Sequence, residues 1–389
     1  MPDVSRAGKR ARMRWTGETR CGIVVLMQPS APHATTSSDW FTDPAARSWT
    51  CPPPAREVGA FHAALPGYAP TPLVELPALA AELGVGRLLV KDESSRMGLP
   101  AFKILGASWG VHRALAGHYG LPADATRDDV RAAIVARGPV RLVTATDGNH
   151  GRAVAHMARV YGVSAHVLVA SGVHPSAVAA IAGEGAKVTA LDVPYDEAVR
   201  LAAASGGLLV QDMGLPGYTD VPHWICEGYT TLFTEIDERL GGAPDLVAVP
   251  VGVGSLAQAA VTHYRSGPGP RPVLLSVEPD AAASLLASLR AGRRAETPPG
   301  RTIMAGLNCT TPSESAWPFL RGGVDAAVAV SDAEAARAVG DLADLGVDAG
   351  PCGAASLAGV RAALPRLPRQ GTVVLLSTEG RAANPASLN

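Results

Sequence analysis

The sequence predicts an α/β fold in which a parallel sheet is covered by helices on both faces. Three observations carry that expectation. Strand and helix patterns alternate from about residue 140 to the C-terminus, the strand segments are apolar throughout rather than at every second position, and glycine-bearing turns join strand ends to helix starts. With 389 residues, 47% hydrophobic and 18% charged, the chain is long enough for two domains or one large unit with a sizeable core.

Residues 1–38 stand apart: Lys9, Arg10, Arg12 and Arg14 precede a short apolar run at 21–27 and a Pro/Ser/Ala stretch. The run is too short, and follows Glu18 and Arg20 too closely, for a secretory leader. A disordered extension is expected here, with Met13 or Met27 as alternative starts. From Trp40 the pattern becomes regular. A strand is expected at 88–90, then a helix from Lys103 through Trp109, Val111 and Leu115, and a surface helix beginning near Asp124. Strands follow at 141–146, 165–170, 187–192 and 208–212, separated by helices at 151–161, 175–185 and 195–205. After a Gly/Pro/Tyr-rich crossing at 214–224 come a helix at 225–240, a strand at 245–251, a helix at 255–265, a strand at 272–277 and a helix at 281–290. The stretch 292–326 reads as irregular. Ser331 and Glu334 form a capping box for a helix at 332–345, and a helix at 352–364 and a strand at 372–376 close the chain.

Composition excludes several classes of function. A formal net charge of -1 with no basic run beyond the N-terminus argues against nucleic acid or an anionic membrane as partner. No run reaches the ~18 apolar residues of a membrane span. The five cysteines are scattered and never form a C-x-x-C pair, which points to reduced thiols in a cytoplasmic protein and away from a zinc cage. Cys352 reads as a packing residue, since nothing nearby would activate it.

Four stretches can carry chemistry. Lys103 lies between Ala101, Phe102, Ile104 and Leu105. If these pack around it, its ammonium loses hydration, its pKa falls, and its amine becomes a nucleophile for a carbonyl cofactor. The alternative is a lysine whose stem lies on the core while its head reaches water. In the turn 144–151, Asn149 can bond a cofactor oxygen and Asp147 can move protons, although Asp, Gly and Asn are also ordinary turn residues. Gly252-Val253-Gly254-Ser255 joins a strand to a helix and offers backbone N–H groups to a phosphate. With Ala257, and Glu278 after the next strand, the same glycines also fit a dinucleotide fingerprint, so NAD and a single phosphate stand level at this point. Ser377-Thr378 after the final strand is either a ligand contact or a loop cap.

Taken together, Ala101-Phe102-Lys103, Thr146-Asp147-Gly148-Asn149-His150-Gly151, Gly252-Val253-Gly254-Ser255 and Ser377-Thr378-Glu379-Gly380 resemble the pyridoxal-phosphate enzymes of fold type II. These include serine/threonine dehydratases, threonine synthase and tryptophan synthase β. Within that group, segments 65–73, 96–103, 217–222 and 302–307 resemble diaminopropionate ammonia-lyase. The resemblance runs from about Trp40 to Gly380. Asn308-Cys309-Thr310-Thr311 and Arg381-Ala382-Ala383-Asn384 depart from the family pattern, which bears on substrate choice more than on cofactor.

The resemblance implies two doubly wound open-sheet domains, a large one of residues 39–107 and 213–389 and a small mobile one of residues 108–212. It further implies pyridoxal 5'-phosphate in the cleft between them, and a homodimer acting on a small amino acid. Lys103 would carry the cofactor and serve as base toward the substrate α-proton. Asn149 would bond the ring oxygen, Gly252, Val253, Gly254 and Ser255 the phosphate, and Ser377 the pyridine nitrogen. Asp147 matches a second base that recognises the distal amine. Asp196 matches a substrate-contacting acid, although an acid in the first turn of a helix also opposes its dipole. The implied reaction is α,β-elimination of 2,3-diaminopropionate to pyruvate and two ammonia, with the D isomer admitted because Lys103 and Asp147 offer two bases. A serine/threonine dehydratase would use the same lysine and phosphate cup. An NAD-binding oxidoreductase or nucleotide-binding protein would use Gly252, Gly254, Ala257 and Glu278 but leave Lys103 and Asn149 idle.

Overall fold

The computed structural model describes residues 39–146, 148–367 and 371–383. The expectations placed on residues 1–38 and on Asp147 lie outside the described residues.

The strands are Trp40–Thr42 (β1), Leu73–Glu75 (β2), Arg87–Asp92 (β3), Leu142–Thr146 (β4), Ala165–Val169 (β5), Lys187–Ala190 (β6), Leu208–Leu209 (β7), Leu246–Pro250 (β8), Val273–Pro279 (β9), Ala326–Val330 (β10) and Thr372–Ser377 (β11). They form a seven-stranded sheet of order β1-β10-β9-β8-β11-β3-β2 and a four-stranded sheet of order β6-β5-β4-β7. In the larger sheet β10, β9, β8, β11 and β3 run parallel, and β1 and β2 close the edges antiparallel. The smaller sheet is parallel throughout. Every residue of β4, β8, β9 and β10 is buried, which is why these strands read as unbroken apolar runs.

Helix Lys103–His118 crosses helix Asp220–Leu240 at backbone distance. A Cβ on Gly106 would meet the Tyr229 ring at 2.4 Å, and one on Gly228 would meet the Leu105 carbonyl at 2.6 Å. Glycine at both positions lets the two axes approach and fixes where the first turn of the Lys103 helix points. The capping box forms as read: Glu334 N donates to Ser331 Oγ at 3.3 Å, and Ser331 N donates to Glu334 Oε2 at 2.8 Å.

Three features differ from the sequence reading. The helix expected at 225–240 begins at Asp220, inside the stretch read as a crossing. Pro222 lies in its first turn, where N–H groups have no helical partner to lose. Second, helix Trp317–Gly323 and the start of β10 occupy the end of the stretch read as irregular. The Ala-Ala-Val-Ala-Val sequence of β10 has weak strand character and is held by neighbours on both sides.

The third is Glu278, read as a possible ribose-binding acid. It is fully buried, and its carboxylate accepts N–H bonds from Leu285 and Leu286, each at 2.7 Å. Both oxygens are thus spent on the start of helix Ser284–Ala291, which removes the acid the dinucleotide reading needs. Burial pushes its pKa up to about 8 from an ordinary 4.5, against the pull of the two N–H bonds. A carboxyl raised on folding contributes stability that is complete below about 4.5 and is lost as pH rises through about 8. Thermal scans of Glu278→Gln are therefore expected to show a flatter decline in Tm across pH 5–8 than the parent chain; an identical decline would contradict this origin.

Candidate active site

The site assembles at the carboxyl ends of strands from both sheets, where open α/β sheets place ligands. Lys103 opens its helix after a ten-residue loop, 93–102, that follows β3. The loop between is laced to the chain leaving β11: Glu93 N donates to Ser377 O at 2.9 Å, Phe102 N to Thr378 O at 3.1 Å, and Gly380 N to Pro100 O at 3.0 Å. Met97 and Gly98 take positive φ values of 52° and 77°, turning the loop so that it returns along residues 377–380.

The Lys103 Nζ donates to Asp212 Oδ2 at 2.8 Å. The lysine side chain keeps 22% exposure, so the apolar enclosure expected around its amine is replaced by an ion pair with a buried acid. Asp212 is buried, and three further groups surround it. Tyr195 Oη donates to Oδ1 at 3.3 Å, Gln211 Nε2 lies 3.3 Å from the same oxygen, and His150 Nδ1 stands 3.8 Å from Oδ2. Burial alone would push this carboxyl up; His150, Lys103 and the Tyr195 hydroxyl outweigh it and hold it well below the usual carboxylate range. Gln211 fastens the turn to β4 by accepting from Ala145 N at 3.0 Å and Thr144 Oγ1 at 3.1 Å.

Asp212 was not among the sequence candidates. It was read as the last residue of a strand, whereas β7 ends at Leu209. Its position just beyond a strand's carboxyl end was the available signal. Asp196, which was a candidate, is exposed on the first turn of helix Tyr195–Ala204, and it is the neighbouring Tyr195 that reaches the acid.

Asn149, after β4, donates from Nδ2 to Glu379 Oε2 at 2.8 Å, after β11, and so bridges the ends of the two sheets. Gly252-Val253-Gly254 forms a cradle between β8 and helix Ser255–Arg265, whose N-terminus faces it. Gly254 has φ 100°, and its Cβ would stand 2.5 Å from Leu320; on Gly252 a Cβ would come within 2.9 Å of Gly306 O. Side chains would therefore both strain and fill the cradle. The Ser377 hydroxyl is buried at the end of β11 and has no hydrogen-bond partner among the described residues. Leaving such a group unpaired costs about 1–3 kcal/mol, so a ligand acceptor or donor there is favoured.

The model of the family described as pyridoxal-phosphate dependent enzyme matches residues 64–379. The chain belongs to that family. This pyridoxal-phosphate dependent enzyme is 36% identical over 303 residues to diaminopropionate ammonia-lyase of Salmonella typhimurium, covering 72% of this chain and 73% of the relative. It is 34% identical over 347 residues to the protein of that name from Escherichia coli K12, covering 82% and 86%. A crystal structure of the Escherichia coli ammonia lyase, in complex with an aminoacrylate-PLP azomethine reaction intermediate, superposes with a TM-score of 0.80 over 90% of this chain and 95% of its own, at 30% identity. The architecture is fold type II and the cofactor is pyridoxal 5'-phosphate.

The residues of this pyridoxal-phosphate dependent enzyme fit that cofactor. Lys103 offers a partly exposed amine, the glycines of the Gly252–Ser255 turn let the chain run with its N–H groups uncovered where side chains would clash with Leu320 and Gly306, and the buried Ser377 hydroxyl, without a partner among the described residues, would suit a neutral bond to a ring nitrogen. Cys352 is packed in the core, as read. Among the described residues no cluster of His, Cys, Asp and Glu is placed to hold a metal ion, and no helix is long and apolar enough to cross a membrane.

Proposed function

We propose that this enzyme eliminates ammonia from 2,3-diaminopropionate, and that the aminoacrylate released tautomerises to an imine, which one water hydrolyses to pyruvate and a second ammonia. The observation that carries the reading is the pairing of the Lys103 amine with a buried, ionised carboxylate, Asp212. When bound, pyridoxal phosphate supplies the electron sink that acidifies the substrate α-carbon. Lys103 supplies the amine that holds the cofactor carbonyl and, once freed, takes the α-proton. Asp212 is an acceptor only, so it orients a cation, first the Lys103 ammonium and then the ammonium on the substrate β-carbon. A hydroxyl at that carbon would leave the buried charge unmatched, which sets a diamine apart from serine. Asn149 would bond the cofactor's ring oxygen, and Ser377 would bond its ring nitrogen. Asp147 would be the second base, so that Lys103 and Asp147 between them admit both isomers. The proposal includes closure of residues 108–212 over the substrate, which excludes water, and a cytoplasmic homodimer.

The test is pyruvate release from L- and D-2,3-diaminopropionate and from L-serine, repeated with Asp212→Asn. Both diaminopropionate isomers should outpace serine. The variant should lose about 10²-fold or more of kcat/KM on diaminopropionate and a smaller part on serine, which needs Asp212 only to orient Lys103. Turnover of serine alone would move the enzyme to the dehydratases, and an unaffected variant would remove Asp212 from the chemistry.

A further inference from the structure

The return from the four-stranded to the seven-stranded sheet passes through residues 210–219 and carries Asp212. Two serine hydroxyls from the cradle side hold this crossing. Ser255 Oγ donates to the Asp212 carbonyl at 3.1 Å, and Gly214 N donates to Ser313 Oγ at 3.1 Å. Ser313 also grips the cradle, since its N–H donates to Val253 O at 2.8 Å. Gly214 packs so closely that a Cβ there would meet Ser315 Oγ at 2.7 Å. Both anchoring serines are buried, so water does not substitute freely for either bond.

Ser255 has one hydroxyl proton and two oxygen claimants for it, beside its contact with the buried Cys226 thiol. It is the first residue of the helix whose N-terminus faces the cradle, and a phosphate oxygen seated there is an acceptor, as is the Asp212 carbonyl. Resting on the reading of 252–255 as the phosphate site, we propose that Ser255 couples phosphate occupancy to the placement of Asp212. With the cradle empty, Ser255 holds the acid's turn. With phosphate bound, the hydroxyl turns to donate to the phosphate and the Asp212 carbonyl loses that bond, while the Ser313 anchor and the Gln211 bonds to β4 remain, so Asp212 adjusts between Lys103 and the substrate cation only by the play this one bond had removed. Ser255 is thus a positioning residue for Asp212 as well as a phosphate ligand.

The experiment loads the full-length enzyme with pyridoxal, which lacks the phosphate, and follows the pH titration of the lysine-bound absorption band with and without inorganic phosphate. The band senses Asp212 through Lys103; His150, Tyr195, Tyr218 and Cys226 are the other titratable groups near the acid or Ser255. Phosphate charge shifts the midpoint in every form. The coupling adds to that shift only where residue 255 has a hydroxyl to redirect, so the shift should be about twofold smaller in Ser255→Ala and restored in Ser255→Thr. Equal shifts in the parent and Ser255→Ala, with phosphate binding retained by calorimetry, would overturn the coupling alone. Failure of the parent enzyme to bind phosphate would overturn the cradle reading and the coupling with it.

Discussion

Lys103→Ala is expected to lose pyruvate release from diaminopropionate by on the order of 10⁴-fold or more, while circular dichroism shows the fold intact. The size of the effect follows from the absence of a substitute. The chain has four lysines, Lys9, Lys91, Lys103 and Lys187. Lys91 is buried, bonded to Glu235 Oε2 at 2.5 Å and to Thr71 O at 2.8 Å. Lys187 is exposed on β6, at the edge of the smaller sheet. Only Lys103 among the described residues sets an amine beside Asp212, so its loss removes both the cofactor's anchor and the base. The visible cofactor band should vanish with it. Retained turnover with a normal band would place the anchor elsewhere.

Arg96→Met is expected to destabilise the fold by about 3–5 kcal/mol in urea denaturation, because it breaks a buried ion cluster from one side. Arg96 is fully buried. It meets both oxygens of Glu93, at 2.8 and 2.6 Å, and both oxygens of Glu235, at 2.7 and 2.8 Å. It also donates to Ala69 O and Thr71 Oγ1. Methionine would fill the volume but leave two buried carboxylates sharing Lys91. Arg96→Lys should rescue little, since a point charge cannot make two forked contacts. Because Met97 and Gly98 begin the turn toward Lys103, turnover should fall along with stability. A variant with unchanged stability would show that the cluster contributes nothing net.

Much of the site was legible in the sequence. Asn149 and Gly252 to Ser255 sit just past strand ends, Ser377 closes β11, Lys103 follows β3 after a ten-residue loop, and the structure brings all of them to the carboxyl ends of the sheets. Asp212 was not legible. Its partner is Lys103, 109 residues away, and β7 is too short to show that the acid stands beyond it. Glu278 was misleading for the opposite reason: its spacing from Gly252 fits a ribose acid, but spacing does not reveal that the carboxyl is buried and already bonded. The same limit applies to β10, where alanines supply no strand pattern and the neighbours β1 and β9 decide the outcome.

The most direct test of the account is peptide mapping of the holoenzyme after borohydride reduction. The account predicts the reduced pyridoxyl mass on the peptide containing Lys103, with Lys91 and Lys187 unmodified. The mass on either of those residues, or on no lysine, would contradict it.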